Sequence, residues 1–279
     1  MKTIEKEMSF VDHLEELRWH IIRALGSIFV FALVAFFNKS FVYGTLILGP
    51  SKPDFWTYRM LCKVGEFLNA PDLCIKELNF TLQSREMTAQ FTMHITQSFV
   101  VGLVIAFPYA FWEIWRFVRP GLLPGERRIS KGAVFFVSIL FLIGIFFGYY
   151  IVSPLAINFL VNYQLDPSIL NEFDIASYIS LLVMTVLACG IMFQLPMVIF
   201  ALSKLGVVTP AFLKSYRRHS YLVILIVAAI ITPSPDMFSQ LLVAIPLFLL
   251  YEISITISGR VMRQREKDLL EFEQNGKID

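Results

Sequence analysis

The sequence predicts an all-α polytopic membrane protein with six transmembrane helices, both termini on the cytoplasmic side, and short helices outside the membrane. Three observations carry that prediction. Of 279 residues, 56% are hydrophobic and only 16% charged, whereas soluble domains average about 45–50% and about 25%. The charges cluster, leaving apolar runs near the roughly 20 residues that a spanning helix needs. Lys and Arg are also divided unevenly between the segments that join those runs.

The runs fall at about 19–38, 91–115, 132–153, 179–203, 219–233 and 238–257. The last two are short and separated by "TPSPDMFSQ" (Thr232–Gln240), which implies a locally thinned bilayer or sheltering by neighbours. The N-terminal segment through Arg23 holds four Lys and Arg, residues 116–131 five, residues 204–218 four, and the chain after Gly259 five. The opposite side holds six (Lys39, Lys52, Arg59, Lys63, Lys76, Arg85), all in the first long loop, and none in 154–178 or 234–237. The positive-inside rule therefore places both termini in the cytoplasm and residues 40–90 and 154–178 outside. Residues 1–260 form the six-span unit, and 261–279 a polar cytoplasmic tail, helical and fraying. The first residues are acidic (Glu5, Glu7, Asp12, Glu15, Glu16) and no small-residue cleavage site follows, so the N-terminus reads as retained. Asp166, Glu172 and Asp174 make an acidic outer patch without a basic counterpart. A net charge of +2 gives no field that would draw nucleic acid. No internal repeat is visible, which argues against an inverted-repeat transporter. Cys62 and Cys74 share one polar outer segment; they either pair, at a gain of about 3 kcal/mol at most, or stay separate thiols.

No phosphate-binding GxxxxGK[ST] loop, GxSxG elbow or HExxH pair occurs, and no Cys/His cluster, so neither enzymatic chemistry, a cofactor nor a metal is expected. The four histidines (His13, His20, His94, His219) lie at or near membrane boundaries and read as interfacial residues. Polar groups in or beside the membrane remain. A charge at bilayer depth costs about 2.5–3.5 kcal/mol on the mildest scale, so each is a functional candidate.

Three places qualify. In "HLEELRWH" (His13–His20), Phe10, Leu14, Leu17 and Ile21 form one stripe of an amphipathic helix leading into the first span. Glu16 lies near the edge of that stripe, on the flank of His13 and His20; alternatively it only complements the helix dipole. In "FVRPGLLPGERR" (Phe117–Arg128), Glu126 sits among arginines beside an apolar wall of Phe117, Leu122 and Leu123, stiffened by Pro120 and Pro124. The plain alternative is a surface ion pair with Arg127 or Arg128, of at most about 1 kcal/mol. The third place is intramembrane. Gln194 precedes Pro196, which frees the Met192 carbonyl and bends the helix. Thr232 and Gln240 flank the last tight turn, Glu252 lies near the inner end of the sixth span, and Glu113 about one turn inside the cytoplasmic end of the second. Each of these also reads as an interhelical hydrogen bond of around 0.6 kcal/mol.

"HLEELR", "FVRPGLLPGERR" and "TPSPDMFSQ" occur in this order on a six-span, N-in/C-in plan, and over residues 8–260 the chain resembles TatC, the receptor core of the twin-arginine protein translocase. The enlarged first outer loop and the C-terminal tail are less typical. The resemblance implies that Glu16 and Glu126 contact the paired arginines of a folded cargo's signal peptide, with Phe117 and Leu122 supporting recognition and Arg18 and Arg128 ordering the cytoplasmic face. It implies structural roles for Pro50, Tyr149 and Asp236, and a polar cluster of Thr232 and Gln240 that receives single-span TatA/TatB-type subunits. It further implies the proton-motive force as energy source, a homo-oligomer within the complex, the lipid bilayer as a partner, and residence in a bacterial cytoplasmic (inner) membrane. Many family members carry Glu where this chain has Gln194. An amide cannot ionise, so Gln194 reads as a packing or cavity residue, with Glu113 as a candidate for the missing acid nearer the inner face. A guanidinium prefers a carboxylate in a bidentate fork that Lys cannot reproduce, so two acids on one rim suit two adjacent arginines. The rival readings are a secondary transporter of small solutes and an intramembrane hydrolase.

Overall fold

The computed structural model describes residues 10–67, 69, 74, 78, 80–118, 132–166, 168–169, 171–232 and 237–275. Glu126, Leu122, Arg128 and Asp236 therefore lie outside the described residues. Eleven helices are described: α1 (Phe10–Phe37), α2 (Lys39–Phe41), α3 (Trp56–Phe67), α4 (Ala89–Val118), α5 (Ala133–Phe147), α6 (Ser153–Asn162), α7 (Ile175–Met192), α8 (Leu195–Lys204), α9 (Pro210–Ser215), α10 (Arg217–Ile231) and α11 (Met237–Asn275). Two π-helical turns, Val42–Ile47 and Gly148–Val152, extend α2 and join α5 to α6.

By length and composition, five stretches among the described residues suffice to cross a membrane: Glu15–Phe37, Ala89–Val118, Ala133–Asn162, Ile175–Lys204 and Ser239–Gln264. The fifth run of the sequence is α10, of 15 residues. At ~1.5 Å per residue it reaches roughly 22 Å, less than the ~30 Å hydrocarbon core. The polar 261–275 stretch is not a separate element, because α11 runs unbroken through it for 39 residues. Large apolar side chains such as Phe29, Phe136 and Ile226 stay more than half exposed; lipid, not protein, is the solvent that suits them.

The chain divides into two compact units, Met1–Asn38 with His94–Ser138, and Lys39–Met93 with Ile139–Asp279. In the first, α1 crosses α4 at Gly102, where an added Cβ would lie 2.5 Å from the Ala32 nitrogen. Only a glycine lets the backbones approach so closely. At one end of this crossing the His94 ring stacks on Phe36 at 4.2 Å and its Nε2 lies 3.1 Å from the Phe36 carbonyl oxygen.

The second unit has a core of Val152, Cys189, Phe193, Ile224, Val243, Leu247 and Tyr251 from α7, α10, α11 and the Gly148–Val152 turn. Its long helix breaks at Phe193–Gln194, between α7 and α8, two residues before the proline that the sequence marks. Phenols hold the stretch from Leu46 to Tyr58. The fully buried Tyr58 donates to the carbonyls of Pro50 (2.8 Å) and Pro154 (3.2 Å). Tyr178 donates to Ile47 (2.8 Å) and Tyr149 to Leu46 (2.8 Å). Burial raises the Tyr58 phenol well above its ordinary range.

Three features depart from the sequence expectation or resolve it. The all-α reading misses a short parallel pair, β1 (Thr81–Gln83) with β2 (Glu172–Asp174). The acidic patch of Asp166, Glu172 and Asp174 does have a basic counterpart: Arg85 lies 3.8 Å from Glu172, and its backbone N–H donates to Asp174 at 3.2 Å. Strand pairing brings these residues together across 89 positions of sequence, which no local pattern reveals. Cys62 and Cys74, for which both outcomes were open, form a disulfide.

Candidate functional site

The crossing of α1 and α4 builds the site. Glu16, His20 and Arg23 recur along α1 at spacings of four and three residues, as do Tyr109, Glu113 and Arg116 along α4. These spacings put each trio on one helix face. Close approach at Gly102 brings the two faces together.

Glu113 is the centre, with a side chain 1% exposed. Its Oε2 takes His20 Nδ1 at 2.5 Å and lies 3.6 Å from Arg23 Nη1. Its Oε1 accepts from the Tyr109 hydroxyl at 3.0 Å and lies 3.8 Å from Arg116 Nη1. A carboxylate only accepts, so His20 Nδ1 carries the proton of that bond. The other ring nitrogen, Nε2, lies 3.9 Å from Glu16 Oε1. His20 is itself buried and bridges a buried acid to a half-exposed one, since the Glu16 side chain is 40% exposed. The Phe117 ring lies 6.3 Å from the His20 ring. Arg116 also stacks over Trp112 at 4.9 Å. A buried carboxylate is tolerated only when its charge and lone pairs are met; here His20 and Tyr109 hydrogen-bond to it, and Arg23 and Arg116 form ion pairs with it.

Of the residues that the sequence singles out, Glu16, Glu113 and Phe117 thus share one cluster. Arg18 does not join it: the guanidinium pairs with Glu15 at 3.4 Å, both exposed. Gln194 belongs to the other unit, at the break before α8, where its backbone N–H donates to Ile191 at 2.9 Å. Thr232 is buried and donates to the Ala228 carbonyl (2.9 Å), and Gln240 Nε2 donates to that of Leu225 (3.0 Å). The Pro50 carbonyl accepts from Tyr58, and Tyr149, in the Gly148–Val152 turn, donates to Leu46. Glu252 lies against α10, with Arg217 at 2.7 Å and the Tyr221 hydroxyl donating to it. Sequence reasoning missed His20 as a bridge, together with Arg23, Tyr109 and Arg116. The helical spacing from Glu16 and from Glu113 was there to be read, but the partner across the crossing was not.

A family model described as TatC, Sec-independent protein translocase protein, matches residues 12–246. The chain belongs to the TatC family. Among TatC relatives, it is 36% identical over 267 residues to the Sec-independent protein translocase protein TatC of Blattabacterium sp. subsp. Periplaneta americana, covering 95% of this chain and 100% of the relative. It is 35% identical to that of Listeria innocua serovar 6a, covering 95% and 97%. The fold is similar to a crystal structure of the twin-arginine translocase receptor TatC, with a TM-score of 0.65 at 31% identity, covering 90% of this chain and 99% of the other. This TatC-family chain is accordingly a multi-pass membrane component of the Tat protein-transport pathway.

Proposed function

We propose that the chain is the signal-peptide receptor and core subunit of a twin-arginine translocase, with Glu16 and Glu126 reading the two arginines of a folded cargo's signal peptide. The observation that carries this reading is the state of Glu16: half-exposed and backed by His20, whose ring lies 6.3 Å from that of Phe117 and which is anchored on buried Glu113. Glu16 is therefore the accessible acid of the cluster, whose other acid, Glu113, is buried, while the guanidiniums of Arg23 and Arg116 are half-exposed. One guanidinium–carboxylate pair at ~4 Å gains roughly 4 kcal/mol at an effective dielectric of 20, before desolvation is subtracted. A site anchored on a buried network loses little side-chain freedom when it is occupied. Arg18 and Arg128 order the same face, and Leu122 extends the apolar wall on which the hydrophobic stretch of the peptide rests.

In this reading both termini are cytoplasmic in a bacterial inner membrane, and α10 completes six spans sheltered by α11. Several copies act together with single-span partner subunits near Thr232 and Gln240, and the proton-motive force drives transport, at about 2.3 kcal/mol per charge per 100 mV. The Cys62–Cys74 disulfide supports an outward position for residues 40–90, since disulfides persist in oxidising compartments. Membership of a protein-translocase family leaves the small-solute transporter reading without support.

The test is photocrosslinking from positions next to Glu16 and Glu126 to signal peptides bearing Arg-Arg or Lys-Lys. Crosslinks to the Arg-Arg peptide are expected to vanish in Glu16→Ala and in Glu126→Ala, while the protein still inserts. Full crosslinking in the double variant, or equal crosslinking of the Lys-Lys peptide, defeats the reading.

A further inference from the structure

α11 continues past its membrane-spanning stretch, and α9 packs beside the last turns of that stretch. Between them lies a groove of about 810 Å³ lined by Lys214, Arg260, Arg263, Ile255, Met262 and Gly259, among others. Three features mark it as a binding site. First, Lys214, Arg260 and Arg263 are exposed, and no ion pair among the described residues involves any of them. Glu266 is the one acid in the lining, so three cations face one carboxylate. Second, the groove is held in shape. The Thr209 side chain caps α9 by accepting from the Phe212 N–H, and the Tyr251 hydroxyl of α11 donates to the Leu213 carbonyl at 2.9 Å, next to Lys214. Third, it lies where the Ser239–Gln264 span ends, so its apolar wall of Ile255 and Met262 meets its cationic wall at the membrane boundary.

We propose that this groove binds the headgroup of an anionic phospholipid. Arg260 and Arg263 grip the phosphodiester, for which a planar guanidinium fork is suited, and Lys214 closes the opposite side. The first acyl carbons rest on Ile255 and Met262. A free polyanion or phosphate ion needs the cations but not that apolar wall, and the volume suits a headgroup with its glycerol better than a bare ion. The proposal is independent of the signal-peptide reading.

The test uses the full chain purified in neutral dodecyl maltoside, with bound lipid counted by native mass spectrometry. Dioctanoyl phosphatidylglycerol, dioctanoyl phosphatidylcholine and inorganic phosphate are titrated separately. The wild type is expected to retain one phosphatidylglycerol saturably, with phosphatidylcholine at least tenfold weaker and inorganic phosphate a poor competitor. The double variant Arg260→Gln/Arg263→Gln should weaken phosphatidylglycerol binding at least tenfold. Gly259→Phe should do the same with every charge in place, because a Cβ at Gly259 has nothing within 4 Å and the ring would fill the groove. Equal retention by wild type and both variants would show cations that serve only orientation, and would overturn the site. Equal binding of both lipids would remove its charge basis, and displacement by phosphate at matching concentration would make it a free-anion site.

Discussion

Glu113 gathers four donor side chains from two helices, so its removal strands them together. Glu113→Ala leaves His20 buried without its acceptor and Arg23 and Arg116 without their shared anion. Breaking a buried ion pair from one side costs about 3–5 kcal/mol, and the half-exposed guanidiniums place this case at the lower end, about 3 kcal/mol. The melting temperature in detergent should fall clearly, and Glu113→Gln, which keeps the Tyr109 bond, should fall less. At His20 the proposed receptor role adds an expectation of a different kind. His20→Phe retains the bulk and the Phe117 contact but removes the bridge to Glu16; signal-peptide crosslinking should weaken several-fold while insertion is unchanged. Undiminished crosslinking would separate Glu16 from its buried support.

At the scale of elements, two contacts are steep enough to test. Gly102→Val places a side chain where Ala32 backbone already sits at 2.5 Å. Overpacking of this kind costs typically 1–3 kcal/mol, and it should also part His20 from Glu113. Disulfide trapping between cysteines introduced at the Glu16 end of α1 and the Arg116 end of α4 should lose yield relative to the glycine parent. Asp174 caps α7: its carboxylate accepts from the Ala176 N–H at 2.7 Å and from that of Arg85, and these bonds hold it below the usual carboxylate range. A depressed folded-state value means a contribution fully present above the unfolded value, near 3.9, and lost as pH falls through the folded one. Thermal stability of wild type should therefore decline more steeply below about pH 4 than that of Asp174→Ala, measured by light scattering on heating. Matching acid profiles would remove the cap from that account.

For the whole molecule the decisive quantity is orientation. If residues 40–90 face the oxidising side, Cys62 and Cys74 should resist maleimide labelling in intact cells unless reductant is added first. Breaking a loop closure of this length should cost about 3 kcal/mol. A cysteine placed at Ser168 should be labelled from outside, and one at Lys214 only after permeabilisation. The opposite pattern would invert the topology and leave Glu16 on the wrong side for a cytoplasmic peptide.

Five of the six apolar runs, their order and the basic bias were legible because hydrophobic length and charge are local properties of a chain, and lipid as solvent demands both. The helix break near Gln194 was legible for the same reason, since it follows from Pro196 alone. What only the tertiary structure decided was pairing across distance. His20 meets Glu113 across 93 positions, Arg85 meets Glu172 through a parallel strand pair, and Tyr58 ties Pro50 to Pro154. In each, one backbone crossing or strand register selects the partner, and a helical or strand spacing names the face that will be buried but not the side chain it will be buried against.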